Sequence, residues 1–230
     1  MIEPIAFPSE SGESRFRDRK HAAQLLAREL RRYRGRNPLV LGIPRGGVVM
    51  AEIIARELEG DLDVALVRKL RAPNHPELAV GSITEAGKVY LNPGMEGFAP
   101  EGYIRQEAEE ALQLIRERRA SYTPGKPPAD PRDRIVIVVD DGIATGATMI
   151  AALRAFRRAG SGRLIAAAAV APPETIQVLV READEVECLR MPEPFGAVSV
   201  YFEDFSEVTD EEVLGLLRAE KVNRQTGARS

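Results

Sequence analysis

The segment from Ile135 to Val139 contains five consecutive β-branched residues, Ile-Val-Ile-Val-Val. Such residues favour extended backbone. An apolar run without alternation is typical of a parallel strand that is covered by helices on both faces. The segment therefore predicts the central strand of an open α/β sheet.

Further strands and helices are predicted to alternate on both sides of this segment. Apolar runs predict strands over 38–43, 64–67, 164–170 and 186–189. Helical spacing predicts helices over 16–33, 49–58, 104–115 and 150–156, and Pro172-Pro173 opens another. The stretches 79–84 and 88–92 predict a β-hairpin that projects from the sheet, and a capping box at 209–212 precedes a short final helix. We expect an α/β fold with an open, mostly parallel sheet flanked by helices.

Composition excludes several classes of protein. The chain has 230 residues with 32 Lys and Arg against 35 Asp and Glu, a net charge of −3, so it lacks the general basic field of a non-specific nucleic-acid binder. A lone cysteine, Cys188, excludes a disulfide framework within one chain and is expected in the core. No apolar run approaches the roughly 20 residues of a membrane helix, and the start of the sequence lacks the features of a signal peptide. We expect a cytoplasmic protein without membrane contact.

The motif that follows the central strand predicts the chemistry. Asp140 and Asp141 stand at the end of a buried strand, where two carboxylates repel each other and need donors or a cation. A ribose diol supplies hydroxyl donors, and Mg²⁺ supplies positive charge. The next residues, 142–148, are small and hydroxylated and lead into a helix, whose N-terminus favours an anion. This spacing suits a ribose 5-phosphate.

Other interpretations of this motif explain less. A solvent-facing Asp-Asp-Gly turn does not account for the small, hydroxylated run after it. A Walker P-loop requires Gly-Lys-Ser/Thr, whereas Gly146 is followed by Ala147-Thr148. The chain also lacks the dinucleotide pattern G-x-G-x-x-G and the hydrolase elbow G-x-S-x-G.

Residues 136–148 resemble the phosphoribosyl-diphosphate (PRPP) motif of type I phosphoribosyltransferases. The order of elements from about 38 to 190 also fits the core of that family. Pro44-Arg45-Gly46-Gly47, paired with the later acidic motif, resembles a subgroup whose members often carry only the general family name. The resemblance implies a single domain over 1–220, with a small hood formed by the N- and C-terminal segments. The tail over 221–230, which is poor in apolar residues, is expected to be disordered.

The resemblance also implies the roles of the site residues. Asp140 and Asp141 would bind the ribose hydroxyls and act in catalysis with Lys69, and a flexible loop over 70–80 would close over the reaction. The residues implied to bind PRPP are Arg45, Gly46, Gly47, Arg68, Lys69, Asp140, Asp141, Ala144, Thr145, Gly146, Ala147 and Thr148. Mg²⁺ is the implied cofactor, bound through PRPP, with Asp140 and Asp141 as candidate ligands.

The residues that recognise the acceptor are the least determined. Tyr201 and Phe202 either stack on the acceptor base or anchor the C-terminal segment on the core, and the sequence does not decide between these roles. Ala144 stands where the type I phosphoribosyltransferases that act on 6-oxopurines usually carry an Asp. In this respect the loop resembles those of the family members that act on adenine or uracil, which carry alanine at this position.

Two functions remain. The first is Mg²⁺-dependent transfer of phosphoribose from PRPP to a nitrogenous base, with release of pyrophosphate. The second is a PRPP-sensing regulator of the same fold that binds RNA or DNA through the arginines between 28 and 36. The negative net charge favours the enzyme over the regulator. The presence of Arg45, Arg68 and Lys69, which the resemblance implies bind the pyrophosphate of PRPP, favours it as well. The expected partners are PRPP and a small nitrogenous acceptor, with a homodimer as the candidate assembly.

Overall fold

The computed structural model describes residues 15–73, 75–92, 94–95 and 97–227. The strands are β1 (Leu39–Gly42), β2 (Asp61–Val64), β3 (Val67–Ala72), β4 (His75–Thr84), β5 (Val89–Leu91), β6 (Ile135–Asp140), β7 (Arg163–Val170) and β8 (Glu185–Arg190). The helices are α1 (Arg19–Glu29), α2 (Gly46–Leu58), α3 (Glu101–Tyr122), α4 (Ala147–Arg158), α5 (Pro173–Leu179) and α6 (Asp210–Gly227).

Five strands form a parallel sheet in the order β2-β1-β6-β7-β8. The β-branched segment is its central strand, as predicted, and pairs with β1 on one side and β7 on the other. Residues 136–139 are all fully buried. The predicted α/β fold with a mostly parallel sheet is confirmed.

The two faces of this sheet bury alternate residues of the same strands. On one face, Ile137 and Val139 pack with residues of α1 and α2. On the other, Val136 and Val138 pack with residues of α4. Cys188 belongs to this second cluster at 3% exposure, which confirms its place in the core. A strand that is covered on both faces cannot show the apolar–polar alternation of a half-exposed one.

A second, three-stranded antiparallel sheet has the order β3-β4-β5. The residues predicted to form a hairpin lie in β4 and β5, and the intervening turn includes Gly87 with φ of +73°. The prediction of a single strand over 64–67 is wrong. These residues connect two strands, because β2 ends at Val64 and β3 begins at Val67. Residues 70–80, expected as a flexible loop, lie mainly in β3 and β4. Their alternation of buried Leu70 and Ala72 with exposed neighbours is a strand pattern that the charged side chains obscure.

The N- and C-terminal segments contact each other. Phe16 donates its N–H to the Tyr201 carbonyl at 2.8 Å, and its own carbonyl accepts from the Glu203 N–H at 2.8 Å. The predicted capping box is present, because Thr209 and Glu212 exchange hydrogen bonds between side chain and backbone N–H at 2.7 and 3.2 Å. The backbone of α6 continues to Gly227, into the segment predicted as a disordered tail. Residues 228–230 of that tail lie outside the described part.

No helix in the described part of the chain is long and apolar enough to cross a membrane.

Candidate functional site

Three connecting segments meet at one edge of the parallel sheet. Because β2, β1 and β6 are neighbours and run parallel, their carboxyl ends lie side by side. The chain leaves these ends through residues 65–66, 43–45 and 141–146. Ligands of open α/β sheets bind beyond this edge, so the strand order brings together segments that are far apart in the sequence.

The two acids at the end of β6 have different surroundings. Asp140 accepts a hydrogen bond at Oδ1 from the Asp141 N–H at 2.9 Å. Burial, together with the neighbouring Asp141 carboxylate, raises the pKa of Asp140 well above its ordinary value. Asp141 accepts a hydrogen bond at Oδ2 from Arg19 Nε at 2.7 Å, and these two side chains are only 13% and 12% exposed. The site thus holds one carboxylate paired with a cation and one whose charge is costly to bury.

The glycines after β1 allow the start of α2 to approach the acidic pair. A Cβ added at Gly46 would lie 1.9 Å from Asp141 Oδ2, and one at Gly47 would lie 2.4 Å from the Val139 carbonyl oxygen. Neither distance is compatible with a side chain. A side chain at Gly47 would clash with backbone, and one at Gly46 would displace the Asp141 side chain, so the Pro44-Arg45-Gly46-Gly47 segment lies directly against the end of β6. The peptide bond between Pro44 and Arg45 is cis.

The loop between β6 and α4 is held in place from neighbouring elements. Gly146 precedes α4 with φ of +75°, a conformation that favours glycine. Thr175 donates its hydroxyl to the Ala144 carbonyl at 2.7 Å. Ala144 and Thr145 are exposed, so a ligand can reach them from solvent. With the unpaired N–H groups at the start of α4, this loop can bind an anion.

A cavity of about 520 Å³ opens beside these segments. Its wall includes Pro44 after β1, Leu66 after β2 and Thr148 on α4. Arg68 and Lys69 line it from β3. Arg68 and Lys69, two of the three basic residues that the sequence analysis selected, therefore face the same space as Thr148 of the candidate phosphate loop (residues 144–148), although they belong to a strand and not to a loop.

Lys69 also lines a second, smaller cavity of about 220 Å³. Thr145 and Ala147 of the candidate phosphate loop line this cavity as well. Lys69 thus lies between the two cavities, and its exposed ammonium group can serve an anion in either of them. An exposed cation on a rigid strand suits the recognition of a phosphate group.

Arg45 is the candidate residue that the structure directs elsewhere. Its guanidinium forms an ion pair with Glu207, and the two side chains are 37% and 75% exposed. Glu207 belongs to residues 203–208, which we call the C-terminal strap. Because exposed pairs of this kind contribute little stability, Arg45 can exchange Glu207 for another anion.

Arg19 is a site residue that the sequence analysis missed. It contacts Asp141, and its Nη1 donates to the Ser206 carbonyl of the C-terminal strap at 2.8 Å. Its guanidinium carbon also lies 3.8 Å from the centroid of the Phe205 ring. Arg19 and Asp141 are 122 positions apart, so no local pattern could have linked them.

The two aromatic candidates for the acceptor site have different environments. Phe202 is 3% exposed and packs against Phe16 and Phe205, with ring centroids 5.3 and 4.9 Å apart. This burial corrects the acceptor-binding assignment of Phe202 and supports its alternative role as an anchor. Tyr201 is half-buried and stacks on Phe195 at 5.7 Å, so it keeps a face near the surface.

The described residues contain no group of three or more His, Cys, Asp or Glu side chains that could hold a metal ion by themselves. Mg²⁺ commonly binds proteins through one or two carboxylates together with the phosphate oxygens of a substrate. The acidic pair offers that smaller donor set. It therefore fits a Mg²⁺ ion that arrives with a diphosphate and does not form a metal cage.

Comparison with known proteins identifies the family of this arrangement. Residues 16–203 match the family model described as the phosphoribosyl transferase domain. The chain belongs to this family. The resemblance to phosphoribosyltransferases that residues 136–148 indicated is thereby confirmed at the level of the family. The matched range includes every candidate site residue named above except those of the C-terminal strap beyond 203.

Relatives of this phosphoribosyl transferase domain include both curated proteins and a solved structure. The chain is 38% identical over 216 residues to the "Putative phosphoribosyl transferase" of Mycobacterium tuberculosis H37Rv, a match over 93% of this chain and 49% of that protein. It thus spans about half the length of that curated relative. The crystal structure of TT1426 from Thermus thermophilus is 45% identical, with a TM-score of 0.82 over 88% of this chain and 97% of that one.

A more distant relative is the amidophosphoribosyltransferase of Escherichia coli K12, which is 25% identical over 177 residues. That match covers 71% of this chain and 33% of the enzyme.

Proposed function

We propose that this chain transfers phosphoribose from PRPP to a nitrogenous base in a Mg²⁺-dependent reaction that releases pyrophosphate. One observation carries the proposal: the Gly46 backbone packs directly on the Asp141 carboxylate, where a Cβ would lie 1.9 Å from Oδ2. The segment proposed to bind pyrophosphate is thus in contact with the acids proposed to bind ribose. Membership of the phosphoribosyl transferase domain family supports the same function.

The donor would be bound at three points. Asp140 and Asp141 accept hydrogen bonds from the ribose hydroxyls. Residues 144–148 bind the 5-phosphate through their backbone N–H groups and the Thr145 and Thr148 hydroxyls. This division agrees with the position of the loop at the start of α4, where anions are favoured.

The pyrophosphate would be bound on the side of the large cavity. Arg68 and Lys69 line that cavity from β3, and Pro44, the residue before Arg45, forms part of its wall. As the bond to pyrophosphate breaks, negative charge develops on the leaving group, and fixed cations stabilise it. A cation on a paired strand needs little reorganisation during this step.

Mg²⁺ would be held by the pyrophosphate oxygens together with a carboxylate of Asp140 or Asp141, and it would neutralise charge on the leaving group. Protein groups alone offer few ligands in the described part of the site. We therefore expect tight Mg²⁺ binding only in the presence of PRPP.

The acceptor base would lie between the phosphate loop and the hood. Val198 of the hood already touches the loop, since a Cβ at Gly142 would lie 2.2 Å from its Cγ1. Ala144 has no group that can exchange a proton with the N7 of a 6-oxopurine, so hypoxanthine and guanine should be poor acceptors. Because Ala144 is exposed, Ala144→Asp should fold normally.

The alternative, a PRPP-sensing regulator, receives less support from the arginine cluster. Arg32 pairs with Glu185 and Glu187, and Arg34 pairs with Glu59 at 2.8 Å. Guanidinium groups with carboxylate partners are less available to phosphates of a nucleic acid. We therefore retain the enzyme as the proposed function.

The experiment that tests the proposal is calorimetry of PRPP binding with Mg²⁺. Wild-type protein should bind PRPP, and Asp141→Asn, which removes one charge but keeps the shape, should bind it at least tenfold more weakly, the size of one lost charged hydrogen bond. Asp133→Asn is the matched control, because Asp133 is exposed and precedes β6 at the end of the strand opposite to Asp141. Absence of PRPP binding by the wild type at saturating Mg²⁺ would refute the proposal.

The reaction itself is tested by screening bases for PRPP-dependent release of pyrophosphate. Binding of PRPP without release in the presence of any base would favour the regulator.

A further inference from the structure

We propose that Arg19 is a positioning residue that fixes the Asp141 carboxylate for the ribose of the donor. The inference rests on the proposed function, because ribose recognition by Asp141 is part of that function. It assigns a role to α1, the first helix among the described residues, which contributes no residue to the motifs found in the sequence.

Three contacts fix the Arg19 guanidinium. Nε donates to Asp141 Oδ2 at 2.7 Å, and Nη1 donates to the Ser206 carbonyl at 2.8 Å. The Phe205 ring packs against the guanidinium face at 3.8 Å. A planar guanidinium that is bound along two edges and one face has a defined orientation. Through its hydrogen bond, it also holds the Asp141 carboxylate in a defined orientation.

The groups that hold Arg19 are themselves anchored in the core. The Phe205 ring packs on Phe202 at 4.9 Å, and Phe202 is 3% exposed. Phe202 in turn packs on Phe16, three positions before Arg19. Residues 16–19 and 202–206 therefore form one unit around this guanidinium, and the guanidinium meets the end of β6 at Asp141.

The charge of Arg19 is also needed beside the donor. Asp140 and Asp141 are adjacent carboxylates, and PRPP is a polyanion. An ion pair at 12% and 13% exposure removes much of the repulsion that two free carboxylates would exert on the donor. The orientation and the charge of Asp141 would both change if Arg19 were removed.

A ligand comparison separates positioning from a general loss of charge or of folding. Calorimetry with ribose 5-phosphate, PRPP and pyrophosphate, each with Mg²⁺, would be carried out on wild type and Arg19→Gln. We expect ribose 5-phosphate and PRPP to bind about tenfold more weakly to the variant, as for one lost hydrogen bond to a charged group. Pyrophosphate, which has no ribose, should bind within about twofold of wild type, since its proposed ligands are Arg45, Arg68 and Lys69.

Three further variants complete the test. Lys20→Gln removes the same charge from the next, exposed position of α1 and should leave all three affinities unchanged. Arg19→Lys keeps the charge but cannot reproduce the two-edged contact, so it should recover only part of the ribose 5-phosphate affinity. Phe205→Leu keeps Arg19 but removes the ring, and it should weaken ribose 5-phosphate about threefold, as expected for one partly exposed cation–π contact.

The outcomes distinguish the two proposals. If wild type binds PRPP but Arg19→Gln retains its affinity for ribose 5-phosphate, the role of Arg19 is refuted and the proposed function stands. Equal losses for all three ligands, or full recovery by Arg19→Lys, would also refute positioning in favour of charge alone. If wild type binds neither PRPP nor ribose 5-phosphate, the proposed function fails and the role of Arg19 fails with it.

Discussion

Gly46 occupies the first position of α2, where its Cα faces the Asp141 carboxylate. Arg19 Nε lies 2.8 Å from the position that a Cβ would take at this residue, so the space is bounded by both members of the ion pair. The sequence analysis selected Gly46 as one of the residues implied to bind PRPP. The structure adds a steric reason, because a side chain at this position would displace the Asp141 carboxylate even if no ligand were bound.

The substitution Gly46→Ala should therefore displace the Asp141 side chain and break its contact with Arg19. We expect binding of ribose 5-phosphate to fall more than tenfold and the free energy of unfolding to fall by about 1–2 kcal/mol, as for other overpacked sites. The control is Gly102→Ala in α3, where an added Cβ has no heavy atom within 4 Å. This control should keep its affinity and gain up to about 1 kcal/mol from the better helix former. Equal effects of the two substitutions in calorimetry and urea unfolding would contradict the steric argument.

Arg45 and Lys69 allow a second prediction at the scale of residues. Arg45 follows β1 and Lys69 lies on β3, whereas the loop proposed to bind the 5-phosphate follows β6. Arg45→Ala and Lys69→Ala should each weaken PRPP about tenfold, as for one charged contact to phosphate, and should affect ribose 5-phosphate less. The smaller of these losses is expected for Arg45, whose partner Glu207 competes for its guanidinium. Titration calorimetry with both ligands would disprove the assignment if the two ligands lost affinity equally.

At the scale of elements, α3 is joined to both sheets by a buried ion network. Arg119 donates to Asp63 of β2 at 2.6 Å and to Glu85, in the turn after β4, at 2.6 and 2.7 Å. Asp63 is 1% exposed, and its second oxygen accepts from the Ala129 N–H at 2.8 Å. Because β3 and β4 carry the basic side of the candidate site, this network positions that side relative to the parallel sheet.

Removing the cation of this network should be costly. Arg119→Met leaves the Asp63 carboxylate buried without its partner, and we expect the free energy of unfolding to fall by about 3–5 kcal/mol. Arg116→Met, three residues earlier on the exposed face of α3, should change it by less than about 0.5 kcal/mol. Urea unfolding followed by circular dichroism measures both. A loss for Arg119→Met as small as that of the control would show that Asp63 reaches solvent.

At the scale of the whole molecule, the C-terminal segment is attached to the core at several points. Arg19 and Arg45 contact the C-terminal strap, and the Tyr122 hydroxyl at the end of α3 donates to Asp210 at the start of α6. Burial, and to a smaller degree the hydrogen bond to Asp210, raises the pKa of Tyr122 to about 12. The neutral phenol is therefore the form that the folded protein favours.

This pKa predicts a defined dependence of stability on pH. A pKa raised from about 10 in the unfolded chain to about 12 in the folded protein contributes stability that is fully present below pH 10. The contribution, on the order of 2 kcal/mol by linkage, is lost as pH rises from about 10 to about 12. The difference in free energy of unfolding between wild type and Tyr122→Phe should thus be constant up to about pH 9 and shrink above it. A difference that stays constant to pH 12 would contradict the burial of the phenol.

The sequence by itself determined the parts of the molecule that depend on local pattern. The β-branched run predicted a strand buried on both faces, and the acidic pair followed by small residues predicted a loop at its end, which we propose binds phosphate. The capping box at Thr209 marked the start of α6. These features are readable because short-range periodicity, strand-end position and capping chemistry involve residues within a few positions of each other.

Only the tertiary structure decided the parts that depend on contacts between distant residues. β3 was missed because its charged side chains hide an alternating pattern, which becomes a strand only by pairing with β4. The burial of Phe202 depends on Phe16, which lies at the other end of the chain. Arg19 reaches Asp141 across 122 positions because strand order and the docking of both chain ends bring them together. Such contacts gain their free energy from packing in three dimensions, so no window of the sequence contains them.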